Sequence, residues 1–121
     1  MIVRMIRNSD KAAIARWAKK LNSEQQPMPY NTFVVPGVAA MGLRFIDEQY
    51  ALIDSMITNP LCTSQSRHAA LDSLYAAVFE CIDSKGISGV LGFTVHADAL
   101  ERAKRHGFKP LPHTVLVRNA Q

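Results

Sequence analysis

Residues 63–74, TSQSRHAALDSL, follow an apolar run ending in Asn59-Pro60 and open a long amphipathic stretch. Their reading decides the rest. A polar Thr-Ser-Gln-Ser ahead of an apolar stripe starts a helix. A helix start carries free N–H groups and the positive end of the dipole, and both favour phosphate. Arg67 stands in the first turn, where a cation opposes the dipole unless an anion is nearby. Ala69-Ala70 leaves room for close approach, while His68 either crowds a diphosphate or donates to it. The plain alternative is a polar loop that only begins a helix.

Working outward, the helix spans about 66–84. Leu71, Leu74, Tyr75, Val78 and Ile82 form its buried stripe, and Asp72, Glu80, Asp83 and Ser84 lie outside. Lys85-Gly86 ends it. Upstream, residues 32–35 (TFVV), 38–46 (VAAMGLRFI) and 49–57 (QYALIDSMI) read as three strands. Pro36-Gly37 and Asp47-Glu48 separate them, which predicts an antiparallel meander. Downstream, residues 88–95 (SGVLGFTV) read as a buried strand, completing a βαβ unit with 49–84. Residues 97–106 form a short basic helix stopped by Gly107, and 113–118 (HTVLVR) close the chain as a strand. At the other end, 2–7 (IVRMIR) alternate as a half-buried strand and Ser9 offers an N-cap. Ile14, Trp17, Ala18 and Leu21 then stripe a helix over 10–22. The segment SEQQPMPYN is a loop long enough to border a substrate. The order predicts an α/β fold: a mixed central sheet, antiparallel meander first and parallel βαβ unit second, flanked by helices.

The chain has 121 residues, 48% of them hydrophobic, which predicts a single domain over 1–121 with one real core. No window of 18 apolar residues predicts a membrane span, and MIVRMIRNSDK is too short and too charged for a secretory signal. Cys62 and Cys81 have neither metal spacing nor a CxxC pattern and fit a reduced, cytoplasmic chain. Cys62 reads as packing or as a reactive thiol. The net charge of +4 favours anionic ligands. Arg102, Lys104, Arg105 and Lys109 cluster late, without the interleaved aromatics or helix-turn-helix pattern of a nucleic-acid surface.

Two motifs carry a family resemblance. Gln65-Ser66-Arg67-His68-Ala69-Ala70 resembles the Q/R-x-x-G-x-G/A loop of the GNAT (Gcn5-related N-acetyltransferase) superfamily, matching at Gln65 and Ala70 with His68 at the central glycine. Leu74 falls at that family's buried leucine. An alternative register leads with Arg67, puts Ala70 at the glycine and leaves Asp72 last. HADALERAKRHGF (96–108) is similar to the family's N-x-x-A-x-x-x-Y-x-K-x-G-F, keeping Ala99, a basic Arg105 and Gly107-Phe108. His96 replaces the Asn and Ala103 replaces the Tyr, the family's usual general acid. The short, divergent form encoded by tailed phages is the nearest in flavour, which would place the protein in a host cytoplasm.

The resemblance implies acetyl-CoA as cosubstrate and an amine of a small molecule or protein as acceptor. It implies that Gln65, Ser66, Arg67, His68, Ala69 and Ala70 bind the diphosphate, and that a backbone N–H near residues 56–58, at Ile57, polarises the thioester carbonyl. It also implies that the basic helix holds the 3′-phosphate or adenine end. Asp54, inside an apolar run, is the candidate base ahead of Glu48, and His96 is a candidate acid or base. Each also has a plain reading: Asp54 at a sheet edge or turn, His96 as a helix cap. Tyr50 and Tyr75 read as core-stripe residues. His68, His96 and Cys62 match no metal-ligand spacing. The rival reading is a binding protein of the same fold with little or no turnover, acting on a partner (host) enzyme. Trp17, Met28 and Tyr30 would then be contact residues, although Trp17 also fits the core. A dimer is compatible with either.

Overall fold

The computed structural model describes residues 1–22, 28–29, 31–94 and 96–119. The elements run β1 (Arg4–Met5), α1 (Asn8–Lys20), β2 (Asn31–Val35), β3 (Ala39–Phe45), β4 (Tyr50–Thr58), α2 (Ser64–Ser84), β5 (Gly89–Gly92) and α3 (Ala97–Arg105). The strands form one mixed sheet in the order β1-β2-β3-β4-β5, with antiparallel pairs up to β4 and a parallel β4–β5 pair. This is the expected meander followed by a βαβ unit. No helix among the described residues is long and apolar enough to cross a membrane.

The strand period sorts side chains onto two faces. Met41, Leu43, Ala51 and Ile53 meet Leu71, Leu74, Tyr75, Val78 and Ile82 of α2 in the larger core. Val34 and Ala40 meet Ile14 and Trp17 of α1 in the smaller one. Trp17 is therefore core, with Met28 packed beside it, and Tyr30 lies outside the described residues. Gly42 allows a close approach on the α1 face, since a Cβ there would collide with Ser55 Oγ and Pro29. Pro29 is fixed in turn by its carbonyl, which accepts from the buried Thr32 Oγ1 at 2.6 Å.

Five expectations are corrected. First, β1 is only Arg4–Met5, a short edge strand. Second, α1 begins at Asn8 with Arg7 as N-cap, so Ser9 is inside the helix. The Asp10 carboxylate reaches back to the Arg7 N–H at 2.7 Å and anchors the start there. Leu21 falls past the helix end and is exposed. Third, α2 begins at Ser64, two residues early, because Thr63 Oγ1 accepts from the Ser66 N–H at 3.1 Å. Fourth, Tyr50 is exposed rather than core and lies over Gly89, where a Cβ would stand 2.7 Å from its ring. Fifth, residues 113–118 form no strand. Leu116 and Val117 are 89% and 85% exposed, and Pro110 and Pro112 remove two amide donors just before them. A strand pattern without a ladder partner stays unpaired.

Candidate functional site

A bulge in β4 builds the site. Gly42 pairs with Ser55 and Leu43 with Ile53, so Asp54 is an extra residue on β4. The β4–β5 pairing ends at Ile53–Gly92, although β4 continues to Thr58. Beyond the bulge the two parallel strands separate and one edge of β4 is open. Ladder parity tells which groups face that edge. The Asn59 N–H donates to the Val38 carbonyl at 2.7 Å, and hydrogen-bonded residues recur at every second position of an antiparallel pair. The Ile57 N–H therefore faces Ala40, and the Met56 and Thr58 N–H groups face the opening. The Gln49 carbonyl, before the bulge, accepts from Ser88 and Gly89 at 2.8 and 3.1 Å on that same edge. One extra residue has switched the parity.

A cavity of about 330 Å³ sits at this splayed end, where open α/β sheets place their ligands. Met56, Ile57 and Thr58 of β4 form one wall, Ser64, Arg67, His68 and Leu71 of α2 a second, and Asp98, Ala99 and Arg102 of α3 a third. The α2 start that faces it has no acidic residue in its first turn. Thr63 Oγ1 satisfies the Ser66 N–H and the Thr63 carbonyl accepts from the Arg67 N–H at 3.0 Å. Among the described residues no acceptor lies on the Ser64 and Gln65 N–H groups. The Nε atoms of Arg67 and Arg102 are buried and, again among the described residues, without a hydrogen-bond partner. A desolvated guanidinium N–H without an acceptor is costly. Two beside one helix start describe a place for an anion. Among the described residues Asp98 is the one carboxylate lining the cavity.

Helix α3 is held against α2 by two rungs. Arg102 Nη2 lies 2.9 Å from His68 Nδ1, and His106 Nε2 lies 2.9 Å from Asp72 Oδ1. The His106 ring stacks on Tyr75 at 4.2 Å between centroids, and Phe79 and Phe108 complete the aromatic cluster. Burial raises the Tyr75 phenol above its ordinary pKa, so it stays a neutral packing group at physiological pH. This cluster aims Arg102 at the cavity.

Of the residues singled out from sequence, Ile57, Arg67 and His68 line the cavity. Gln65, Ser66, Ala69 and Ala70 do not; Ala70 is buried in the larger core. Asp54 sits at the bulge with its side chain 20% exposed. Its Oδ2 is ion-paired with Arg44 Nε, and its Oδ1 accepts from Ser55 Oγ at 3.1 Å. It is a paired carboxylate, not one isolated in an apolar run. Glu48 is exposed in the β3–β4 turn. His96 occupies the N-cap position of α3 without a side-chain capping bond, is exposed, and its N–H donates to Thr94 Oγ1 at 3.0 Å. Cys62 Sγ, partly buried, lies 3.6 Å from the Gly37 carbonyl. Ser64 and Asp98 were not singled out as site residues by sequence reasoning, Thr58 only within the 56–58 strand end, Ala99 only as a motif match, and Arg102 only as part of a basic helix. The signal for the last was that α3 is basic on a fold whose neighbouring helix start is open.

No family model matches the sequence, and no curated protein matches it in sequence. Solved structures do match in shape. An acetyltransferase of Trypanosoma brucei superposes with a TM-score of 0.68 at 17% identity, covering 98% of this chain and 99% of that one. The aminoglycoside N-acetyltransferase AAC(6')-Iy, solved in complex with CoA, gives 0.69 at 14% identity, covering 99% and 100%. A transcriptional regulator from Bacillus halodurans gives 0.72 at 17% identity, covering 98% and 99%. Identities this low speak for architecture alone, and one fold hosts several functions. The mixed five-stranded sheet, the splay after β4 and the near-complete mutual coverage agree: this chain has the GNAT fold.

Proposed function

We propose that the protein is an acetyl-CoA-dependent N-acetyltransferase acting on an amine of a small molecule or protein. The observation that carries this is the pair of buried guanidinium Nε atoms of Arg67 and Arg102, without a partner among the described residues, beside the acid-free start of α2. They suit a diphosphate, which carries the two charges and several acceptor oxygens they lack. A CoA complex of the similarly folded aminoglycoside acetyltransferase supports the choice of ligand.

In this reading Arg67, Arg102 and the Ser64 N–H, all on the cavity wall, hold the diphosphate. The open edge of β4 receives the extended arm of the cosubstrate as a strand receives a neighbour, and the Met56 or Thr58 N–H polarises the thioester carbonyl. Ile57 supports this from the strand wall. Attack by a neutral amine requires loss of a proton from the ammonium form. Asp54, at the bulge and held by Arg44 and Ser55, takes that role. The departing thiolate needs a proton, and with Ala103 where the family carries tyrosine, His96 ahead of α3 supplies it. Holding both reactants in line supplies much of the acceleration. The two reduced thiols suit a cytoplasmic setting.

A second reading is favoured by one observation: among the described residues no tyrosine lines the cavity. In it the protein binds CoA or a partner enzyme through the same fold with little turnover. The discriminating experiment is thiol release from acetyl-CoA across a panel of amines, with Asp54→Asn and His96→Asn in parallel. Turnover with some amine, lost in Asp54→Asn while acetyl-CoA still binds, supports catalysis. Binding of acetyl-CoA with no turnover for any amine favours the second reading.

A further inference from the structure

We propose that the acceptor is a free α-amino acid, its ammonium group received by Asp54 and its carboxylate by Arg44, the ion pair at the β4 bulge. This rests on the acetyltransferase reading and narrows its acceptor from any amine to one with a carboxylate on the next carbon.

Side-chain parity puts the pair on the face of the sheet away from the diphosphate cavity. Met41 and Leu43 of β3 pack with α2 in the larger core, and Ala40 packs with α1 in the smaller one. Gly42 and Arg44 therefore face the α1 side, where Pro29 and Ser55 Oγ close on Gly42. Asp54 follows Arg44 to that side through the ion pair. A cosubstrate held between α2 and α3 and an acceptor held at this pair reach the open edge of β4 from opposite faces and do not compete for space.

The pair is only half used. Arg44 engages Asp54 through Nε, and among the described residues its two Nη atoms have no hydrogen-bond partner. The Arg44 side chain is 53% exposed, so these donors are open to a ligand. Asp54 Oδ1 accepts from Ser55 Oγ at 3.1 Å, and an ionised carboxylate has lone pairs to spare. A guanidinium presents its Nη edge to a carboxylate as two parallel hydrogen bonds.

Because the cation and anion of the protein stand side by side, a ligand that matches both carries its own anion and cation side by side in the reverse order. An α-amino acid does so, with one carbon between the two charges. A lysine side chain, a polyamine or a peptide N-terminus brings the ammonium alone and leaves Arg44 unmatched. The contacts also suit the reaction. The ammonium passes one proton to the Asp54 carboxylate. The freed nitrogen lone pair forms the C–N bond to the thioester carbonyl carbon, the C–S bond breaks, and the thiolate takes up a proton. With the carboxylate fixed on Arg44, the α-nitrogen is the one presented to the thioester.

The test is thiol release from acetyl-CoA by the full chain, comparing the common free α-amino acids with their carboxamides and with polyamines. The expected result is turnover with at least one α-amino acid, at a kcat/KM about tenfold to a hundredfold above its carboxamide, as loss of a charge-assisted contact implies. Arg44→Gln slows both substrates, because Arg44 also holds Asp54, but the ratio of acid to carboxamide collapses. A purely structural Arg44 would leave that ratio unchanged. Arg44→Lys keeps a charge beside Asp54 without the fork, so its ratio also falls below wild type, and it decides the matter if the Gln variant is too slow to measure. Carboxamides or polyamines acetylated as fast as any α-amino acid, or a ratio that survives these substitutions, overturn the inference and leave the acetyltransferase reading standing. No turnover with any amine overturns both.

Discussion

The two long helices of this protein begin in opposite ways. At the start of α1, Asp10 fills the site itself. It accepts from the Arg7 N–H at 2.7 Å and from Arg4 Nη1 and Nη2 at 2.6 and 3.0 Å. The Arg4 hydrogen bonds hold its carboxyl below the usual range against the opposing effect of burial. At the start of α2 there is a hydroxyl cap from Thr63, no carboxylate, and Arg67 in the first turn. Both ends present the same dipole. One is neutralised from within the chain and contributes stability. The other is left positive and walled by a second arginine from α3, and is available to a ligand.

Substitutions that exchange these two conditions test the contrast. The largest effect is expected from Arg67→Glu, which gives α2 the acid that α1 already has. Acetyl-CoA affinity should fall by about a hundredfold, about 3 kcal/mol, with an unchanged or slightly higher Tm because an acid suits a helix start. Paired calorimetry and thermal melts measure both. A large loss of Tm would mean that Arg67 is structural.

Next in size is Asp10→Ala, which opens the α1 start. The loss of its capping bonds should cost about 1–2 kcal/mol in urea unfolding at pH 7, without changing acetyl-CoA affinity. The pH dependence follows in sign. Because the folded-state pKa of Asp10 is depressed, its contribution is present above the ordinary carboxylate pKa and is lost as pH falls through the lowered value. Asp10→Asn should therefore flatten the acid limb of the stability profile below about pH 4 relative to wild type. An unchanged limb would show that other carboxylates govern it.

A smaller effect is expected from Thr63→Ala. It removes the acceptor on the Ser66 N–H and should cost about 1 kcal/mol of stability. It also frees a third N–H at the α2 start, so binding of acetyl-CoA should be retained within a few-fold. A collapse of binding would show that the Thr63 hydroxyl itself touches the ligand.

Much of this architecture is legible in the sequence because it depends on local period. The apolar runs 32–35, 38–46 and 49–57, punctuated by Pro36-Gly37 and Asp47-Glu48, specify the meander, and the stripe from Leu71 to Ile82 specifies α2. What escapes is tertiary. The bulge at Asp54 adds one residue to a run that reads as a single uninterrupted strand, yet it decides where β4 leaves β5. The His68–Arg102 rung joins residues 34 apart in sequence, and nothing local announces that α3 closes over the start of α2. Asp10 overrode Ser9 as the organiser of α1 because its carboxylate serves the Arg7 N–H and the Arg4 side chain together. At 113–118 the strand period is present and the partner is not.

The most direct measurement is calorimetric titration of the wild-type protein with acetyl-CoA, with ADP as a weak fragment control. The open, doubly cationic start of α2 predicts micromolar binding of acetyl-CoA and weaker binding of ADP at the same site. No heat with millimolar acetyl-CoA would contradict that, and would make the arginine Nε atoms, which lack a partner among the described residues, a feature of packing between α2 and α3 alone.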